Sequence, residues 1–145
     1  RLAFFNTPDN SGDAADTFDF DNDGYSNLLE RAFGTSPVDA GSFNHPKIAE
    51  LAQGAQTYAQ ISYRRIAGGT GTTGINYTAN GIRYRVETTP SLSADWTFGA
   101  TRVEAMGDPI ANGDGTETVT VRSLEPVPAN GFGFMRVMVE SNTTE

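Results

Sequence analysis

The second half of the chain alternates hydrophobic and polar residues with a period of two. Ala59, Ile61 and Tyr63 alternate with polar neighbours, and the same spacing recurs in residues 82–86 and 119–121. This period is typical of β-strands with one buried face. Segments rich in glycine and asparagine separate the runs, as in sheets whose strands reverse direction at tight turns. The pattern predicts a mainly β fold, an antiparallel β-sandwich.

The last predicted strand, residues 132–140, departs from this alternation. Met135, Val137 and Val139 share one face, while Phe134 and Met138 make the other face apolar as well. A strand that is apolar on both faces is typical of a central strand covered on both sides. We interpret it in this way, and an exposed partner-binding face is the alternative.

The first third of the chain has a different pattern. An apolar stripe predicts a short helix that Gly34 is suited to end. The stripe consists of Leu28, Leu29, Ala32 and Phe33. At the N-terminus an apolar run predicts a short strand, and the polar residues after it predict a flexible tether. This run, the candidate assembly strand, consists of Leu2, Ala3, Phe4 and Phe5.

Three segments follow from these patterns. Residues 1–12 form the predicted strand and tether, residues 13–47 contain an acidic loop, the short helix and a linker, and residues 48–145 form the sandwich. The length of 145 residues favours one globular unit in which the loop packs with the sandwich. We expect the sandwich to be of the immunoglobulin-like or fibronectin-like type.

The acidic loop, residues 19–30, has oxygen-bearing residues at the spacing of a twelve-residue calcium loop of the EF-hand type. The predicted ligands, at positions 1, 3, 5, 7, 9 and 12, are Asp19, Asp21, Asp23, the Tyr25 carbonyl, Asn27 and Glu30. Gly24, at position 6, permits the sharp turn. A solvated acidic turn is the alternative, but four carboxylates brought together without a cation repel one another. The spacing therefore predicts one Ca²⁺ ion as a structural cofactor.

Charge and composition narrow the function further. The net charge is −8, and residues 1–47 hold eight acidic and three basic residues. A chain without a concentrated basic surface is a poor nucleic-acid binder, so we expect no nucleic-acid partner. The absence of cysteine excludes disulfides and thiolate zinc sites and leaves oxygen ligands as the main metal chemistry. No apolar run approaches the length of a membrane span.

Residues 19–37, DFDNDGYSNLLERAFGTSP, resemble the DxDGDGxSNLLEYALGTxP segment of large secreted proteins of Verrucomicrobia and Planctomycetes. The loop is also similar to the calcium loops of thrombospondin type 3 repeats and dockerins. Residues 61–65, 84–88, 92–96, 112–122 and 134–137 extend the resemblance into the β part of the same C-terminal modules. It implies a calcium-binding bacterial module outside the cell or at its surface. Residues 1–5 do not match the family's pattern.

Three classes of function are compatible with these features. An enzyme is not expected, because the chain has one histidine, His45, no cysteine and no convincing nucleophile with a base. We expect a structural module that assembles with copies of itself by donating its N-terminal strand, or that attaches within a larger secreted protein. The alternatives are a carbohydrate-binding module, with Trp96 and Tyr77 as the ligand platform, and an accessory domain of a secreted hydrolase.

Overall fold

The computed structural model describes residues 1–127 and 133–141. The chain is mainly β and has two short helices, α1 (Leu2–Phe5) and α2 (Asn27–Phe33), with one turn of 3-10 helix at Gly12–Ala14 between them. The strands are β1 (Lys47–Gln53), β2 (Gln56–Ile66), β3 (Thr78–Ala79), β4 (Ile82–Thr89), β5 (Val103–Ala105), β6 (Ile110–Ala111), β7 (Thr116–Ser123) and β8 (Phe134–Ser141).

The strands form two antiparallel sheets. The first has the order β1-β2-β7-β5, with β6 also paired to β7, and the second has the order β3-β4-β8. The residues predicted to face inward are buried, since Ile61, Tyr84 and Val121 are at most 1% exposed. Together with their neighbours they form the hydrophobic core. The predicted antiparallel β-sandwich is confirmed.

Helix α2 is anchored in this core. It begins after Ser26, whose side chain accepts a hydrogen bond from the Leu29 amide, and it ends at Gly34, where φ is 73°. The predicted apolar stripe is seated against β2 and β8, and Ala32 is completely buried. The Tyr84 hydroxyl, from the centre of β4, donates to the Ala32 carbonyl oxygen at 2.6 Å. The end of the acidic loop is therefore attached to the sandwich.

The N-terminal segment differs from the prediction. Leu2–Phe5 form one helical turn, so the predicted strand conformation is wrong for this chain by itself. Four consecutive apolar residues have no periodicity that distinguishes a strand from a helix. The segment is held within its own chain: Arg1 forms an ion pair with Asp16 at 2.5 Å, and the Phe5 ring meets the Phe20 ring edge-on at 5.3 Å between centroids. Phe20 belongs to the acidic loop.

Strand β8 also differs in part. It pairs with β4 and lies at the edge of its sheet among the described strands, not at the centre. Its inner face is packed, but its outer face is only partly covered, because Arg136 and Glu140 are exposed. Met135 is buried in the core, while Arg136, on the outer face, stacks on Trp96 at 4.2 Å from the ring centroid.

Candidate metal centre

The acidic loop is folded tightly around its own carboxylates. Gly24 has a φ of 97°, a conformation that residues with a Cβ atom rarely adopt. This turn lets backbone amides point back at the aspartates. The Gly24 amide donates to Asp19 Oδ2 at 2.9 Å, and the Tyr25 amide donates to Asp23 Oδ1 at 2.8 Å. These bonds keep the carboxylates oriented toward the inside of the loop.

The three aspartates meet at one point. Asp19, Asp21 and Asp23 each offer one carboxylate oxygen, and these oxygens lie within 4.8 Å of one another. Three negative charges at this separation repel one another unless a cation lies between them. The cluster can hold a metal ion, which is the coarser part of the sequence prediction.

Glu30, the residue at position 12, faces the same cluster from the first turn of α2. Its side chain is only 1% exposed. Its Oε1 accepts a long hydrogen bond of 3.4 Å from the Thr35 hydroxyl, and its Oε2 is buried with no hydrogen-bond partner among the described residues. Asp21 Oδ2 is buried and unpartnered in the same way. Buried carboxylate oxygens without partners are costly, which favours an additional partner, such as a cation or a water, at these two atoms.

The electrostatics of the site indicate the sign of that ligand. Burial, with the nearby charges of Asp21 and Asp23, raises the pKa of Glu30 to about 7. Burial and the charge of Asp23 likewise raise the pKa of Asp21. A bound cation would reverse both effects by favouring the charged carboxylates.

The other two predicted ligand residues, Tyr25 and Asn27, have side chains that contact parts of the chain outside the aspartate cluster. Tyr25 lies in the loop at position 7, with its side chain hydrogen-bonded to His45. Asn27 is buried, and its amide nitrogen donates to the carbonyl oxygens of Asp13 and Ala15, both at 2.9 Å. The Asn27 side chain thus joins the loop to the segment before it. Coordination through Asn27 stays a prediction.

Two residues beside the candidate metal centre were not predicted from the sequence. Thr35 contacts Glu30 from just beyond the helix, and His45 contacts Tyr25 from the linker. Neither belongs to the twelve-residue motif, so motif spacing has no signal for them. The single occurrence of histidine was visible in the sequence, but its partner was not.

The candidate sugar platform is not assembled. Tyr77 is 4% exposed, and its hydroxyl donates to the Ile66 carbonyl oxygen, so its ring belongs to the core and is not available to a sugar. Trp96 is half-buried on the outer face of the second sheet. The two rings therefore share no surface.

Comparisons of the chain with protein-family models, with curated proteins and with solved structures find no match. In the described part of the chain, no helix has the length and apolar character needed to cross a membrane. The geometry and chemistry of the candidate metal centre are therefore the observations that bear on function.

Proposed function

We propose that this chain is a non-enzymatic extracellular or cell-surface β-sandwich that one calcium ion stabilises. The observation that carries the proposal is Glu30. Its side chain is 1% exposed, one of its oxygens has no partner among the described residues, and the aspartate charges act on it, which is an environment that a cation stabilises. We infer that Glu30 and the three aspartates share a single cation.

Calcium fits this position best among common metal ions. The groups that converge are carboxylates, which are hard oxygen ligands and suit calcium or magnesium. A loop that spreads its ligands over twelve residues and ends in a glutamate able to bind through both oxygens matches the irregular coordination of calcium. Magnesium requires a smaller, nearly octahedral shell and usually keeps several waters.

The ion has a structural role in this proposal. Asp19 and Glu30 lie at opposite ends of the loop, and Glu30 belongs to the helix that is seated in the core. An ion shared by both ends fixes the N-terminal segment to the sandwich. Because the chain has no cysteine, metal binding supplies the cross-link that a disulfide provides in other small extracellular domains.

A structural role also agrees with the surroundings of His45. The imidazole lies between two aromatic rings, those of Tyr25 and Phe43, with centroid distances of 4.8 and 4.9 Å. The Tyr25 hydroxyl is also hydrogen-bonded to His45 Nδ1, so the imidazole is engaged with its own chain. The resemblance of residues 19–37 to secreted modules supports an attachment role in a larger extracellular protein, or self-assembly at the cell surface.

Self-assembly by strand donation remains part of the proposal as a prediction. Leu2–Phe5 would have to unfold from the helical turn before pairing with a neighbour's sheet edge. A four-residue helix has little stability of its own, so unfolding it costs little free energy. The main cost is the loss of the Arg1–Asp16 ion pair and of the contact of Phe5 with Phe20. Sedimentation of the chain lacking residues 1–5 tests it, because donation requires that any large species disappear.

Isothermal titration calorimetry tests the calcium proposal directly. We expect one calcium ion to bind per chain and Asp21→Asn to abolish the heat of binding. Asp39→Asn is the matched control, because Asp39 is an exposed aspartate outside the cluster. Absence of calcium binding to the wild-type chain would refute the proposal, and equal loss in both variants would remove the assignment to this loop.

One observation favours carbohydrate binding as a second candidate. On the outer face of the second sheet, Arg85 stacks on Phe98 at 4.2 Å from the ring centroid, next to the Arg136–Trp96 pair. Phe98 is 50% exposed, so one aromatic ring remains accessible beside polar groups, as in many sugar sites. A glycan array should lose binding with Phe98→Ala or Trp96→Ala and keep it with Phe43→Ala, whose ring lies near the acidic loop.

A further inference from the structure

A small aromatic cluster lies beside the metal centre and is not explained by metal coordination. It consists of Tyr25 from the acidic loop and of Phe43 and His45 from the linker before β1. The Tyr25 hydroxyl is hydrogen-bonded to His45 Nδ1. The Tyr25 and Phe43 rings both contact the imidazole, with centroids 4.8 and 4.9 Å from it. The linker and the loop therefore touch at one place.

Tyr25 is held from two directions. Its amide donates to Asp23 Oδ1 at 2.8 Å, so its backbone is tied to a candidate ligand. Its side chain is tied to His45, twenty residues later. In a calcium loop the residue at position 7 coordinates through its backbone carbonyl, and its side chain is free to make other contacts. A contact on that side chain can therefore fix the backbone without occupying a coordination position.

We propose that His45 is a positioning residue that prepares the loop for calcium. This inference rests on the calcium proposal above. An imidazole that holds the Tyr25 side chain restricts the backbone that carries the position 7 carbonyl. The loop is then already ordered in the metal-free fold. Less conformational entropy is lost when calcium binds, so the calcium affinity rises. Removing the imidazole should weaken calcium binding although all predicted ligands remain.

The expected change is modest because both partners are near the surface. A net hydrogen bond of ordinary strength corresponds to about twofold to tenfold in a binding constant. We therefore expect His45→Ala to raise the calcium Kd by about this factor. Tyr25→Phe should have a similar effect, and the double variant should bind no more weakly than the weaker single variant, because both changes remove the same contact.

Two further variants separate positioning from general damage. His45→Asn places an amide group near the position of Nδ1 and should restore most of the affinity. Asn44→Ala, a change at the adjacent linker residue, should leave the Kd unchanged. Urea unfolding should show a larger loss of stability for His45→Ala in calcium than in chelator, because the variant loses calcium affinity in addition to the contact itself.

The single histidine permits an independent observation. The chain has one imidazole, so its NMR signals need no assignment by mutation. We expect these signals to shift during a calcium titration, saturating with the Kd measured by calorimetry. If the wild type binds calcium but His45→Ala binds equally well and the imidazole signals do not move, the positioning role is wrong and the calcium proposal stands. If the wild type binds no calcium, both fail.

Discussion

Among the described residues two glutamates are almost completely buried, and the charges around them have opposite signs. Glu87, on the outer face of the second sheet, is 4% exposed and lies between two arginines. Arg136 approaches its Oε1 to within 2.7 Å, and Arg85 approaches its Oε2 to within 2.9 Å. Glu30 is 1% exposed, has a long bond to one hydroxyl, and faces three aspartates. The first carboxylate is neutralised by its own chain.

The difference shows where the chain places its positively charged side chains. Arginines surround the carboxylate that belongs to the sheet, and no arginine or lysine of the described part forms an ion pair with Glu30. Burial of both groups costs desolvation, but only Glu87 recovers it within the protein. We propose that Glu30 recovers it when a cation enters the loop. On this proposal the sheet region is stable by itself, whereas the stability of the loop region depends on the cations in solution.

Removing calcium should have the largest effect in this comparison. A ligand present at about 100 times its Kd stabilises the folded state by about 2.7 kcal/mol. We expect the free energy of unfolding to fall by about this amount between that calcium concentration and excess chelator, measured by urea denaturation. Asp21→Asn should show no response to either condition. Superimposed wild-type curves would mean that no ion contributes to the fold.

Glu87→Gln should have the next largest effect, and it should not depend on calcium. The variant leaves Arg85 and Arg136 without their shared carboxylate, and losing one charged partner of this kind costs about 1–3 kcal/mol. Glu140→Gln is the control, because Glu140 is 45% exposed and lies 3.5 Å from Arg85. It should change stability by less than about 0.5 kcal/mol. A calcium-dependent loss in Glu87→Gln would show that the two regions are coupled.

The response to calcium should also depend on pH. In the metal-free fold the pKa of Glu30 is about 7, above the ordinary 4.5, so the protonated group contributes stability below about pH 4.5 that is lost as pH rises through 7. Calcium binds the carboxylate, so its affinity should rise over the same window and then level off. Competition with one proton changes the calcium affinity by at most tenfold per pH unit, which corresponds to about 1.4 kcal/mol. Calorimetry between pH 5 and 8 checks this slope, which Glu30→Gln should flatten.

The parts of the fold that the sequence predicted are those in which one face is buried. Strands β2, β4 and β7 have buried residues at every second position over most of their length, so alternation located them. Strand β1 was missed because six of its seven residues are exposed, and a strand without a buried face has no hydrophobic period. The N-terminal run was too short to show any period.

The carboxylate cluster was predicted because its members lie within twelve consecutive residues. A contiguous motif encodes its own geometry, and the cluster of Asp19, Asp21 and Asp23 follows from it. Contacts between distant segments have no such motif. Arg136 meets Glu87 across 49 residues, and His45 meets Tyr25 across 20. Such pairs depend on the register of the sheet and on the course of the linker, which sequence spacing does not specify.

The central claim is that Glu30 is a site for a cation and not a member of the protein's own ion-pair network. The most direct test is urea unfolding of Glu30→Gln and the wild type at pH 8, in chelator and in calcium. We predict a crossing: the variant is more stable than the wild type in chelator, because a buried charge has been removed, and less stable in calcium, because a ligand has been lost. A variant that is less stable in both conditions by the same amount, as expected of Glu87→Gln, would contradict the account.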